Sequence, residues 1–137
     1  NAGENNVDIE FVEADILAGD FILPCEKEGI ALPYPFDLII SNPPYVCERE
    51  KNEMKANVLD YEPESALFVE DSEPLVFYRQ IAALGKKRLA KRGLIAAEIN
   101  EKLGNETLRV FEESGFEGRV ERDFRDKERM IVVRKSE

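Results

Sequence analysis

The 137-residue chain has no histidine and no tryptophan, two cysteines, and fewer basic than acidic residues, 19 against 29. Each shortage excludes something. Without histidine the chain lacks the commonest general base near neutral pH and the commonest metal ligand. No cluster of cysteines or paired carboxylates suggests a metal site, so none is expected. Cys25 and Cys47 fall in different loops and read as free thiols of a reducing, cytoplasmic protein. A net charge of −10 is the wrong sign for gripping a phosphate backbone, so direct nucleic-acid binding is not expected. No apolar run approaches the ~20 residues that a membrane span needs, and no membrane association is expected. There is also no Gly-x-Gly anywhere in the chain.

What remains is the composition of one soluble globular domain, 43% hydrophobic and 35% charged. Its centre is Asp37-Leu38-Ile39-Ile40-Ser41-Asn42-Pro43-Pro44-Tyr45. The apolar run reads as a buried parallel strand over 37–41. Two prolines stop it, because neither nitrogen can donate to a ladder, and Pro43 holds Asn42 extended. A stiff loop therefore sits at the carboxyl end of a strand, where open α/β sheets place ligands. The Asn42 amide both donates and accepts, and the Pro43 carbonyl is a fixed acceptor. Together they suit the grip of a planar –NH2 group, with the Tyr45 ring as a surface for stacking.

Around this centre the pattern alternates between elements. Val7, Ile9 and Phe11 alternate with polar residues and predict a strand over 7–13, followed by Asp15 and Ile16. By itself Asp15 reads as the cap of a short turn. Residues 18–36 read as loop, and Glu48–Lys55 as a short charged helix within a long irregular stretch. Leu75, Tyr78, Ile81, Ala82 and Leu84 predict a helix begun at Pro74 and ended by a left-handed Gly93. A second buried strand over 94–99 follows, then a helix near 101–114 ending at Gly115. Strands near 118–123 and 129–133, joined at Asp126-Lys127, predict an antiparallel pair.

An apolar strand running into Asn42-Pro43-Pro44-Tyr45 resembles the amino-methyltransferases of the class I S-adenosylmethionine-dependent fold. Further runs resemble one branch, the PrmC/HemK family of release-factor glutamine methyltransferases. These are Tyr61-Glu62-Pro63 followed by Ala66-Leu67, Phe77-Tyr78-Arg79, Glu98-Ile99-Asn100 and Arg122-Asp123-Phe124. Asn100 stands where the family carries glycine.

The resemblance implies a truncated Rossmann-like α/β fold, with a mostly parallel sheet and a C-terminal antiparallel strand pair. It implies that residues 1–137 are a single partial catalytic domain, a fragment without the family's first two strands, glycine-rich turn and amino-terminal helical domain. It also implies methyl transfer from S-adenosylmethionine to the side-chain amide of the glutamine in a Gly-Gly-Gln motif, with a peptide chain release factor as partner and substrate. The implied roles are catalysis by Asn42, Pro43 and Tyr45, substrate binding by these with Pro44 and Glu62, and cofactor binding by Asp15, Ile16 and Asn42. Lacking the methionine and ribose contacts, the chain alone is expected to bind the cofactor weakly and to be inactive. The strand at 7–13 is expected to pair directly with 37–41, with self-association through exposed sheet edges as a companion. The alternatives are an N6-adenine or ribosomal RNA methyltransferase, and a non-catalytic interaction module.

Overall fold

The computed structural model describes residues 2–9, 11–18, 35–53 and 63–136. The chain divides into two units, Asn1–Pro33 and Tyr34–Glu137.

The first unit opens with a single 3-10 turn, Gly3–Asn5, closed by Asn6 in the left-handed region at φ 53°. Asp15 then organises a turn of its own. Its Oδ1 accepts the Leu17 N–H at 2.9 Å, and its carbonyl accepts the Ala18 N–H at 3.3 Å. The strand expected over 7–13 does not form: among its described residues no strand occurs, and neither sheet of the protein takes one from them. Alternation supplies an apolar face, but a strand exists only where a neighbouring backbone accepts its ladder. Phe11, at 84% exposure, shows that the face is also unburied. The expected pairing of 7–13 with 37–41 is not formed among the described residues, where β1 takes β4 as its partner.

The second unit is built on a four-stranded sheet. Its strands are β1 (Phe36–Ser41), β4 (Leu89–Glu98), β5 (Phe116–Arg122) and β6 (Glu128–Lys135), in the spatial order β1-β4-β6-β5. β1 and β4 run parallel, with Ile39 opposite Ile95 and Ser41 opposite Ala97. β6 lies antiparallel between β4 and β5. The expectation of an α/β chain with parallel strand pairing and a C-terminal antiparallel pair holds. Two short parallel strands, β2 (Val46–Cys47) and β3 (Phe68–Val69), form a separate ladder. Between them lie a 3-10 helix, Glu48–Glu53, and a single turn of helix, α1 (Glu64–Leu67).

Two longer helices cover one face of the sheet. In α2 (Val76–Arg88) the buried residues are Tyr78, Ile81, Ala82 and Gly85, the i, i+3, i+4, i+7 pattern of one apolar stripe. In α3 (Gly104–Glu113) they are Gly104, Thr107 and Phe111. These stripes meet Ile95, Ala97, Ile131 and Val133, which point to the same side of β4 and β6 and are at most 1% exposed. On the other face Leu38, Ile40, Leu94 and Met130 remain exposed.

Gly93 does not end the helix. α2 stops at Arg88 because Leu89 turns extended, at φ −76° and ψ 137°. Gly93 lies inside β4, where the register with β1 shifts. A Cβ there would come within 2.9 Å of the Phe36 carbonyl oxygen, so the glycine is kept for close backbone approach. Gly115, at φ 88°, ends α3 as its position predicts.

The β5–β6 turn is held by Asp123. Its Oδ1 accepts the N–H groups of Arg125 and Lys127 at 2.8 and 3.0 Å, and its Oδ2 accepts Arg129 Nε at 3.1 Å. The Lys127 N–H foremost, then those of Arg125 and the Arg129 guanidinium, holds the carboxyl below its usual value of 3.8. A folded-state pKa below the unfolded one contributes stability above the unfolded value, and that contribution disappears as pH falls through the folded one. Denaturant unfolding should therefore show wild type more stable than Asp123→Asn near neutrality. The gap should narrow as pH drops below about 4. A gap constant with pH would leave the carboxylate charge without a role.

Candidate functional site

Ser41 pairs with Ala97 at the carboxyl ends of β1 and β4, so Asn42 leaves the sheet beside Glu98. The four loop residues meet different fates. Asn42 is exposed, Pro43 is buried, and Pro44 and Tyr45 are half-buried. The Tyr45 hydroxyl donates to Glu98 Oε1 at 2.6 Å. Burial first, then the Glu98 carboxylate, pushes the phenol well above its ordinary range, so Tyr45 stays neutral and committed to Glu98. Tyr78, expected as core packing, is 1% exposed and also donates its hydroxyl to the Glu98 carbonyl at 2.9 Å. The end of β4 is thus tied to α2 on one side and to the loop on the other.

A second set of bonds holds the loop's far end. Asn100 is 7% exposed, and its Nδ2 donates to the Tyr45 carbonyl at 3.1 Å and to Glu50 Oε2 at 2.6 Å. Its Oδ1 accepts the Lys102 N–H at 2.9 Å. Glu50 Oε2 also accepts the Cys47 N–H at 3.1 Å, while Oε1 lies 2.7 Å from Lys102 Nζ. Burial alone would raise the Glu50 carboxyl. Lys102, Asn100 and the Cys47 N–H outweigh it and hold the group below its usual range. Beside it, burial and then Glu50 push the Cys47 thiol up, so it is no thiolate nucleophile. A cavity of about 210 Å³ lies here, lined by Cys47, Arg49, Glu50, Asn100, Lys102 and Leu103.

The segment from Pro63 onward returns to this loop. Pro63 precedes α1, and β3 then lies against β2 with Phe68 opposite Val46. A Lys51–Glu64 ion pair joins the 3-10 helix to α1. The Ala66-Leu67 pair therefore lies next to the strand that follows Tyr45. Glu62, singled out for substrate binding, falls outside the described residues, as does Cys25. Asp15 and Ile16 belong to the first unit. The structure thus gathers Asn42, Pro43, Pro44 and Tyr45 on one clamped loop and leaves Asn42 as the exposed polar side chain at its tip.

The clamp itself was not assigned from sequence. Glu98 and Asn100 were visible only as a motif at the end of an apolar strand, and Glu50 as one charge among several. The bond from Asn100 to Glu50 spans 50 positions. No local pattern announces it.

Comparison with known proteins follows the same direction. No family model matches the chain. A release factor glutamine methyltransferase of Flavobacterium psychrophilum is 42% identical over 134 residues, 97% of this chain and 44% of that protein. That of Bacteroides thetaiotaomicron is 41% identical over 97% of the chain and 45% of its own length. That of Lactococcus lactis is 35% identical over 98% and 46%. A crystal structure of a release factor-specific protein-(glutamine-N5) methyltransferase from Alicyclobacillus acidocaldarius covers 82% of this chain and 54% of its own, at 26% identity and a TM-score of 0.48. The chain spans just under half the length of the curated relatives it matches. Across nearly all of its own residues, this chain belongs to the release factor glutamine methyltransferase family.

Proposed function

We propose that the protein carrying this chain transfers a methyl group from S-adenosylmethionine to the side-chain amide nitrogen of a glutamine. We place that glutamine in the Gly-Gly-Gln motif of a peptide chain release factor. The observation that carries the reading is the exposed Asn42 on a loop whose neighbours Pro43 and Tyr45 are buried or bonded in place.

An amide nitrogen is a poor nucleophile, because its lone pair is delocalised into the carbonyl. Asn42 Oδ1 and the Pro43 carbonyl would each accept one of the two amide hydrogens. That turns the nitrogen toward the incoming methyl and stabilises the positive charge that grows on it as the new C–N bond forms. The excess proton leaves to water afterwards, so the loop needs no strong base before transfer. Pro44 and Tyr45 shape the same side of the site. Glu62 is assigned to substrate binding by the family resemblance. When bound, S-adenosylmethionine supplies an electrophilic methyl on a sulfonium sulfur. The residues present fit its adenine end. Asp15 Oδ1 accepts the Leu17 N–H, Oδ2 has no partner among the described residues and would accept an exocyclic amine, and Ile16 would offer an apolar side chain against the ring.

The test is direct. The full-length protein, a release factor and labelled S-adenosylmethionine are incubated together, and the labelled peptide is sequenced by mass spectrometry. One methyl on the motif glutamine is expected. Label in adenine of DNA or ribosomal RNA, with none on the release factor, would transfer the reading to the nucleic-acid alternative.

A further inference from the structure

We infer that Asn100 is a positioning residue that sets the catalytic loop, by coupling the Tyr45 backbone to the Glu50 segment through a single side-chain amide. The inference rests on the reading of Asn42 as the substrate-amide ligand. All three hydrogen-bonding atoms of the Asn100 amide group find partners in fixed senses. Nδ2 uses one hydrogen on the Tyr45 carbonyl and the other on Glu50 Oε2, and Oδ1 accepts the Lys102 N–H. The amide is buried, so these bonds face little competition from water. Tyr45 lies three residues after Asn42 and is held at both ends, at its hydroxyl by Glu98 and at its carbonyl by Asn100. Releasing the second hold lets the loop pivot about the first, and a shift of about 1 Å at a reacting group is enough to cost roughly a hundredfold.

The geometry makes Asn100→Asp informative. The variant keeps the shape and the acceptor for Lys102, but turns the Nδ2 position into an oxygen facing two acceptors. Only a protonated acid can donate there. Two carboxylates this close cannot both ionise freely, so one proton is retained and its pKa is raised. Below that value the acid keeps one donor hydrogen where the amide had two, so the loop is partly held; above it the donor is lost. The facing charges do not alter the sign. Lys102 Nζ is already engaged with Glu50 Oε1, and Arg49 and the Cys47 thiol line the same cavity without supplying a donor to Tyr45. Tyr45 and Glu98 are bonded to each other, and Arg129 and Lys127 are paired with Glu101.

The experiment compares wild type, Asn100→Asp and Asn100→Ala in the full-length protein, by hydrogen exchange of the segment 45–50 and by methylation kinetics. At about pH 5 and about pH 9, on either side of the shared value, Asn100→Asp should lose about tenfold in protection and in kcat on going from acid to base, with KM for the cofactor unchanged. Wild type, corrected for intrinsic exchange, should show no such change in protection. Asn100→Ala should lose both at every pH. Wild-type protection and kcat for both variants across the range would overturn the inference. If wild type does not methylate glutamine, the proposed function fails, and the exchange profile alone decides the role of Asn100.

Discussion

Asn42→Ala in the full-length protein is expected to lower turnover by about 10²–10³, the usual cost of removing one donor or acceptor aimed at developing charge. Asn42 is the exposed polar side chain at the tip of a loop whose other groups are already spoken for. Its removal leaves the Pro43 carbonyl to hold one amide hydrogen, and the nitrogen then rotates out of line. The fold should be unaffected, because Asn42 is exposed and makes no hydrogen bond among the described residues. The melting temperature of the variant should therefore match wild type, and the loss should fall on kcat. Near-normal turnover would remove Asn42 from the chemistry, whatever the family resemblance implies.

The sequence was most legible where one segment contained its own explanation. β1 and its loop could be read because an apolar run and two prolines state both the strand and its stop. α2 carried a helical stripe, α3 a glycine stop at Gly115, and the β5–β6 pair a turn at Asp126-Lys127, where Asp126 adopts φ 61°. Legibility failed where the answer lay in a partner. Residues 7–13 have the alternation of a strand, yet pairing decides strand formation, and no ladder takes them. Gly93 looked like a helix stop because glycine serves both there and at close approaches. Only the nearby Phe36 carbonyl distinguishes the two. In the site, the loop's reacting groups were visible, but the Glu98, Asn100 and Glu50 supports were not, since each acts across the fold.

The same dependence on partners makes Phe111→Ala the largest stability effect expected. Phe111 is 0% exposed in the last turn of α3, and its ring meets that of Phe116 edge-on, with centroids 6.0 Å apart and planes at 82°. Its loss removes the burial of a whole ring, leaves a cavity between α3 and β5, and deletes an edge-to-face contact. Together these cost about 3–5 kcal/mol in well-packed cores. A domain of this size has roughly 5–15 kcal/mol of stability in all. The melting temperature followed by circular dichroism should therefore fall by roughly 15–25 °C. Phe124→Ala provides the contrast. Phe124 is 92% exposed beside Arg125, and its replacement should shift the midpoint by no more than a few degrees. Similar midpoints for the two variants would show that α3 is not packed on the sheet through Phe111, and the description of the core would have to be redrawn.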